Sequence, residues 1–209
     1  MKRLRIEICG GIASGKTTLA SIIGGQTGAV MENFRHNPYW RAFYLDPAHF
    51  AFETEVSFLL QHYHQLKVET GDTGLATADF SLLLDRAYAD VTLRSGQLVA
   101  FNAVYTQVRE ELGDPRLLVC LRCGATEQLR RIRRRRRRPE RGIHLEFLEE
   151  LNRSLEKQVD LVRGSIPILE IDSEHRDFAH DDGTANEVLQ EITGALDVQR
   201  QTQADVQSW

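Results

Sequence analysis

The stretch Gly10–Thr17, GGIASGKT, decides how this chain folds. It satisfies the pattern G-x-x-x-x-G-K-[ST], in which glycines let backbone N–H groups turn inward and approach phosphate oxygens closely. It follows a short strand-like segment, LRIEIC, and opens a helical one, which is the context that the pattern requires. The helix N-terminus adds partial positive charge at the same place. The stretch therefore predicts a phosphate-binding loop.

The side chains of the loop extend the prediction to a nucleoside triphosphate with its metal. Lys16 is expected to reach the β- and γ-phosphates, and the Thr17 hydroxyl is expected to hold Mg²⁺. A tight turn that is rich in glycine by chance is the alternative, and spacing and context together disfavour it. The predicted triphosphate contacts are Gly10, Gly11, Ile12, Ala13, Ser14, Gly15, Lys16, Thr17 and Thr18.

Composition places the chain among ordinary globular proteins. Its 209 residues are 42% hydrophobic and 27% charged, as expected of one domain. The net charge of −4 gives no overall attraction to nucleic acid or to an anionic membrane, so neither is expected as a partner. Three cysteines, no recognisable signal peptide and no apolar run near ~18 residues favour a cytoplasmic location.

Short β-rich segments alternate with helical ones along the chain. The strand-like segments are LRIEIC, GAVME, GLATAD, RLLVCLR and IPILEID. Such alternation is typical of a parallel sheet with helices on both faces. The predicted fold class is α/β, a P-loop NTPase-type three-layer fold with a five-stranded parallel sheet. Residues 1–198 are expected to form a single domain, and residues 199–209 a polar, disordered tail.

Helices are expected between these strands. The first is expected to end at the glycine pair Gly24-Gly25, because glycine commonly ends a helix. A second helical region, residues 37–69, is expected to break before Pro47. The remaining predicted helices are Gln97–Leu112, Thr126–Arg136, Leu145–Val162 and Ala185–Leu196.

Two carboxylates and an arginine run are candidates for the chemistry beside the triphosphate. Glu32 closes AVME and Asp79 closes LATAD, at the strand ends where open α/β sheets bind ligands. A carboxylate there can take the proton of an accepting hydroxyl. In the run RRIRRRRRRPER, Arg131 and Arg135 share a helix face that can close on the triphosphate. A solvated or polyanion-binding face is the alternative for this run.

Three longer stretches together resemble the deoxynucleoside kinase family, particularly its bacterial deoxyadenosine and deoxyguanosine kinases. They are ENFRHNPYWRAFYLDPAHFAFETEVSFLLQHYHQL, ADFSLLLDRAYADVTL and RRIRRRRRRPERGIHLEFLEEL, and the resemblance covers about residues 4–178. It implies a homodimer with a five-stranded parallel sheet and an arginine-rich lid. It also implies transfer of the γ-phosphate of ATP, with Mg²⁺, to the 5′-hydroxyl of a nucleoside.

The resemblance implies roles for individual residues. On the acceptor side, Glu32 is the expected catalytic base, and Tyr44 and Glu140 are expected to hold the sugar 3′-hydroxyl. Asp79, in place of the family's glutamate, is expected to help hold Mg²⁺. On the donor side, the expected lid arginines are Arg131, Arg135 and Arg137, and the residues expected along the adenine of ATP are Asp177 and Phe178. The expected catalytic residues are Glu32, Lys16, Arg131 and Arg135.

The departures from the family cluster where the nucleobase is read. Glu55 replaces the usual glutamine, and His62 replaces an arginine seven residues later. Asp85 keeps the acidic base-reading position, but Ala89 stands where a phenylalanine often stacks, and Phe80 stands where the family has an arginine. An ionised Glu55 only accepts hydrogen bonds, so it would favour a base edge rich in donors unless its proton is retained. An unusual or modified base is therefore one interpretation.

Two other functions stay open from the sequence. A nucleoside monophosphate kinase has a similar loop and lid, but its acceptor is already a phosphate and needs a fixed cation more than a base such as Glu32. A nucleotide-dependent polyanion binder would use the arginine run and would bind with a steep dependence on salt.

Overall fold

A computed structural model of the chain describes residues 4–68 and 75–207. Five strands form one sheet in the order β2-β3-β1-β4-β5, and each neighbouring pair is parallel. The strands are β1 (Leu4–Cys9), β2 (Ala29–Val30), β3 (Leu75–Ala78), β4 (Leu117–Arg122) and β5 (Ile168–Asp172). The prediction of a five-stranded parallel α/β sheet is confirmed.

Helices cover both faces of this sheet. Those in the described residues are α1 (Lys16–Thr27), α2 (Trp40–Phe43), α3 (Pro47–Val68), α4 (Leu82–Thr92), α5 (Ser95–Leu112), α6 (Ala125–Arg135), α7 (Leu145–Val162) and α8 (Asp182–Gln207). Ile6 and Ile8 of β1 share a buried cluster with residues of α1 and α8. Cys9 points to the other face and is buried with residues of α4 and α7. The three layers follow from this alternation along the central strand.

The strand order determines where a ligand can bind. Because β1 lies between β3 and β4, the connections leave the sheet on opposite sides and open a crevice at the carboxyl ends of these strands. The glycine loop follows β1 directly at this edge. Glu32 and Asp79 follow β2 and β3 at the same edge.

The first helix is longer than the sequence predicts. It continues through Gly24 and Gly25 to Thr27, and the chain turns at Gly28, whose φ is +85°. A Cβ atom on Gly24 would lie 2.5 Å from the Cβ of Ala29. Gly24 is therefore a close-packing position inside the helix rather than its end.

Two further differences concern α4 and α8. No helix is predicted over Leu82–Thr92, yet α4 forms there, and the Ser81 hydroxyl caps it by accepting a hydrogen bond from the Leu84 N–H at 3.2 Å. Helix α8 starts earlier than predicted and continues to Gln207, where a disordered tail is predicted. Residues 197–207 contain no glycine or proline, so nothing in them stops a helix. Residues 69–74 and the last two of the predicted tail lie outside the described residues.

Among the helices that the structure describes, none has both the length and the apolar character needed to cross a membrane.

Candidate active site

A cavity of about 1090 Å³ opens at the carboxyl edge of the sheet. We call the part formed by the glycine loop and the arginines of α6 the loop end, and the part formed by Glu55, His62 and Asp85 the acidic end. Glu32 lies between the two ends. The other predicted site residues that line the cavity are Ile12, Ala13, Ser14, Gly15, Lys16, Thr17, Thr18, Tyr44, Asp79, Arg131, Arg135, Arg137, Glu140, Asp177 and Phe178.

Gly10 and Gly11 do not line the cavity. Their carbonyl oxygens instead accept hydrogen bonds from Lys16 Nζ at 2.8 and 2.9 Å. Gly11 also lets the loop pack closely, since a Cβ atom there would lie 2.3 Å from Gln128 Nε2. Burial lowers the pKa of Lys16, and the neighbouring Glu32 carboxylate opposes that change. The ammonium group is thus held at the mouth of the loop by two backbone oxygens.

Thr17, Asp79 and Glu32 form one connected group. The Thr17 hydroxyl donates to Asp79 Oδ2 at 2.9 Å, and the Glu32 backbone N–H donates to Asp79 Oδ1. Burial raises the pKa of Asp79, while the hydrogen bonds from Glu32 and Thr17 counteract it. A hydroxyl and a carboxylate are the hard oxygen ligands that Mg²⁺ prefers. These two side chains lie close enough together to share one ion, so the donor set fits Mg²⁺.

The three predicted lid arginines that line the cavity are paired with two glutamates. Arg131 donates to Glu127 Oε1 at 2.7 Å and to the Ser173 carbonyl oxygen at 2.7 Å. Arg135 makes a bidentate pair with Glu140, with both N–H···O distances 2.7 Å. Glu140 is buried, and Arg137 lies 3.6 Å from its Oε1. The pairs keep the guanidinium groups oriented along the cavity wall.

Glu127 was missed by the sequence reasoning, although a signal for it was present. It precedes Arg130 by three positions and Arg131 by four, which is the spacing of a helical ion pair. The two arginines hold its pKa at about 2. Glu127 therefore carries a full negative charge beside the arginines at ordinary pH.

The acidic end is formed where α3 packs on α4. His62 Nδ1 lies 3.0 and 2.9 Å from the two carboxylate oxygens of Asp85, and His62 Nε2 lies 3.4 Å from Glu32 Oε1. Glu55 accepts a hydrogen bond from the Thr92 hydroxyl at 3.2 Å. Glu55, His62 and Asp85 are 4%, 2% and 6% exposed. Their charges are therefore governed by one another rather than by water.

Each ionisable group of the acidic end has a shifted pKa. Burial and the nearby Asp85 carboxylate raise the pKa of Glu55 to about 8. Burial alone would lower the pKa of His62, but Asp85 and Glu32 together raise it to about 10. Burial raises the pKa of Asp85, and His62 opposes it. Burial would also raise the pKa of Glu32, but His62, Lys16 and Arg137 outweigh it and lower that pKa.

Aromatic rings enclose the middle of the cavity. His62 stacks on Phe80, with ring centroids 4.0 Å apart and planes 11° apart. Tyr44 meets the edge of Trp40 at 5.8 Å. Ala89 is fully buried and does not line the cavity, whereas the neighbouring Tyr88 does. Position 89 therefore brings no aromatic side chain to the cavity, and Tyr88, one residue earlier on α4, does.

Asp177 and Phe178 lie on the loop after β5. Phe178 is buried, and its ring would contact a Cβ atom on Gly15 at 3.2 Å. Asp177 is exposed, and its carboxylate is paired with His180 Nδ1 at 2.9 Å. Phe178 therefore packs beneath the glycine loop, and Asp177 faces solvent beside it.

Comparisons with known proteins agree on one family. A family model described as deoxynucleoside kinase matches residues 6–197. A deoxyguanosine kinase from Bacillus subtilis (strain 168) is 30% identical over 83% of this chain and 88% of that protein. A deoxyadenosine kinase from Dictyostelium discoideum is 25% identical over 79% of this chain and 71% of that protein. A solved deoxyadenosine kinase from M. mycoides with bound dCTP has a TM-score of 0.78 at 22% identity, covering 91% of this chain and 100% of that one.

Proposed function

Because the chain belongs to the deoxynucleoside kinase family and is an ATP-dependent nucleoside kinase, we propose that it phosphorylates the 5′-hydroxyl of a purine 2′-deoxynucleoside, with deoxyguanosine as the first candidate. The observation that carries the proposal is the shared cavity. Lys16 lies at the loop end, Glu32 in the middle and Glu55 at the acidic end. One cavity can therefore hold the triphosphate, the reacting hydroxyl and the base in line.

At the loop end, the residues act on the phosphates. Lys16 exchanges its backbone carbonyl partners for phosphate oxygens, and Arg131, Arg135 and Arg137 stabilise charge on the transferred group. Thr17 and Asp79 hold Mg²⁺, which when bound neutralises charge on the β- and γ-phosphates. Phe178 supports the glycine loop from below, and Asp177 lies beside the adenine. In this mechanism, the arginine run RRIRRRRRRPER acts as a lid over the phosphates.

Glu32 accepts the proton of the 5′-hydroxyl. The pull of His62, Lys16 and Arg137 keeps its pKa low, so the carboxylate is ionised at neutral pH. Its backbone N–H is held by Asp79, which fixes where the side chain emerges. The group at the acceptor position is thus a carboxylate base rather than a fixed cation. That arrangement favours a hydroxyl acceptor over the phosphate that a monophosphate kinase would place there.

Glu55 and Asp85 read the base. A pKa of about 8 means that Glu55 keeps its proton at neutral pH and offers one donor and one acceptor, as the family's glutamine does. This restores the donor and acceptor pattern that the sequence alone leaves in doubt. The preference for a donor-rich or modified base applies only above that pKa. Tyr44 and Glu140 hold the sugar 3′-hydroxyl.

The paired arginines argue against the polyanion binder. Arg131 and Arg135 line the cavity and are paired there with Glu127 and Glu140, so their guanidinium groups are directed at a ligand inside the cavity rather than at a polymer outside it. A cytoplasmic homodimer remains part of the proposal, and sedimentation of the purified protein tests the dimer.

The test is an ADP-release assay across a panel of nucleosides at neutral pH, covering purine, pyrimidine, ribose, 2′-deoxyribose and base-modified compounds. Release with deoxyguanosine or deoxyadenosine that is lost in Glu32→Gln supports the proposal. Release only with a modified base would overturn the purine assignment. Release only with a nucleoside monophosphate would overturn the hydroxyl acceptor. If the chain is instead a polyanion binder, MgATP binds, no acceptor is phosphorylated, and polyanion binding weakens steeply with salt.

A further inference from the structure

His62 connects the two carboxylates that the proposed reaction uses for different purposes. Its Nδ1 faces the Asp85 carboxylate at 2.9 Å, and its Nε2 lies 3.4 Å from Glu32 Oε1. Nε2 is buried and, among the residues that the structure describes, has no hydrogen-bond partner of good geometry. Both nitrogens of one imidazole therefore point at acidic groups, and the one nearer the reaction is aimed at the proposed base.

The surroundings hold this ring in place. His62 is stacked on Phe80 with planes 11° apart, and Phe58 covers it at a centroid distance of 5.8 Å. Phe80 stands where the family resemblance implies an arginine. A phenyl ring cannot form an ion pair with a carboxylate. Among the described residues of α3 and α4, the nearest cation to Glu32 is the His62 imidazole. Phe80 instead forms the flat surface on which that imidazole rests.

Resting on the function proposed above, we propose that His62 is the positioning residue for the catalytic base, an imidazole held between Asp85 and Glu32 that keeps the Glu32 carboxylate aimed at the 5′-hydroxyl. Asp85 orients the ring through Nδ1, which leaves Nε2–H for Glu32. His62 therefore lies between Asp85, which reads the base, and Glu32, which takes the proton. His62 is thereby occupied at both nitrogens, and reading the base falls to Glu55 and Asp85.

Other charged groups face Glu32 and His62 and must be separated from this effect. Glu32 is near the charges of Lys16 on α1, Arg137 in the arginine run and Asp79 after β3. Asp85 of α4 and Glu55 of α3 act on His62. Removal of His62 leaves all of these in place. The Glu32 side chain then loses its contact with α3, while its backbone N–H is still held by Asp79.

The first measurement is a double-mutant cycle of kcat on the substrate found in the panel, with His62→Gln, Glu32→Gln and the two combined. We expect His62→Gln to lower kcat in the wild type and to have little further effect in Glu32→Gln, because the side chain that it positions is then absent. His64→Gln is the matched control, since His64 is exposed on the same helix two residues away. An equal loss of kcat in both backgrounds would overturn the proposal. The proposed function fails on a different result, full turnover in Glu32→Gln, so the two failures are distinguishable.

The second measurement is steady-state kinetics on the substrate found in the panel. We expect His62→Gln to lower kcat by about 10-fold or more at neutral pH, with a smaller change in KM for the nucleoside. A change in KM alone would assign His62 to base reading and contradict positioning. If His62→Gln does not fold, His62→Arg keeps a cation at this place. In that variant, kcat should stay within about tenfold of the wild type, and a loss of kcat as large as that of Glu32→Gln would overturn the proposal.

Discussion

The loop end and the acidic end of the cavity hold their charges in different ways. At the loop end, Lys16 rests on two backbone carbonyl oxygens, and Arg135 is paired with Glu140 through two hydrogen bonds. At the acidic end, Glu55 and Asp85 are buried beside each other with His62 as their cationic neighbour. The first arrangement holds cations ready for an anion. The second adjusts which carboxyl groups carry a proton.

The two ends of the cavity therefore contribute to different parts of the proposed function. The loop end acts on phosphate groups, which are the same for every acceptor. The acidic end meets the part of the acceptor that varies, and its protonation depends on how α3 packs on α4. Changes at the loop end should therefore affect all nucleosides equally, whereas changes at the acidic end should depend on the base and on pH.

Among substitutions at the two ends, the largest effect is expected from Lys16→Ala. Loss of the ammonium group removes charge stabilisation at the phosphates, so kcat/KM should fall by about 10²- to 10³-fold. The factor should be the same for two nucleosides that differ in their base. Lys157→Ala, which changes an exposed lysine on α7, is the control. If kcat/KM fell by markedly different factors for the two nucleosides, the loop end would also affect recognition of the base, and the division into two ends would be wrong.

The next effect is on stability and comes from Glu55→Gln. The pKa of Glu55 is about 8 in the folded protein and about 4.3 in an unfolded chain, so folding is most favoured below the lower value and loses stability as pH rises through the higher one. At about pH 9, glutamine avoids the cost of burying a charge. We expect its free energy of unfolding to exceed that of the wild type by a few kcal/mol, measured by chemical denaturation. Equal stability at about pH 9 would show that Glu55 is ionised without penalty.

The same substitution should also change the pH profile of the reaction. At about pH 9, only about one-tenth of Glu55 keeps its proton, so wild-type kcat/KM should be about tenfold below its value at neutral pH. Glu55→Gln should remain active over this range, and Glu53→Gln, on the exposed side of the same helix, should behave like the wild type. A parallel decline in all three proteins would place the titrating group elsewhere.

The smallest effect is expected from Ser81→Ala. Removal of the cap on α4 should cost about 1 kcal/mol of stability, which a thermal melt can detect. Because α4 carries Asp85 in its first turn, KM for the nucleoside should rise more than KM for ATP. A larger change in KM for ATP would contradict the assignment of α4 to the acidic end.

The placement of the loop end could be predicted from the sequence because its determinants are local. The glycine pattern specifies its own backbone, and Glu32 and Asp79 follow strands whose carboxyl ends must meet in a parallel sheet. The ion pair of Glu127 with Arg131 was equally local and was overlooked.

The acidic end could not be predicted to the same extent. Residues 55 and 62 were identified from the family resemblance, but the contact of His62 with Glu32 joins residues far apart in the chain. It depends on α4, which the sequence analysis did not predict as a helix. The proton on Glu55 depends on burial, which no local pattern reports.

The most direct test of the account is a comparison of Glu32→Gln with the wild type on the nucleoside that the panel identifies. The account predicts that kcat falls by about 10²- to 10⁴-fold, because the general base is lost, while MgATP binding measured by calorimetry is unchanged. Retained turnover in Glu32→Gln would contradict the central claim that Glu32 takes the proton of the 5′-hydroxyl.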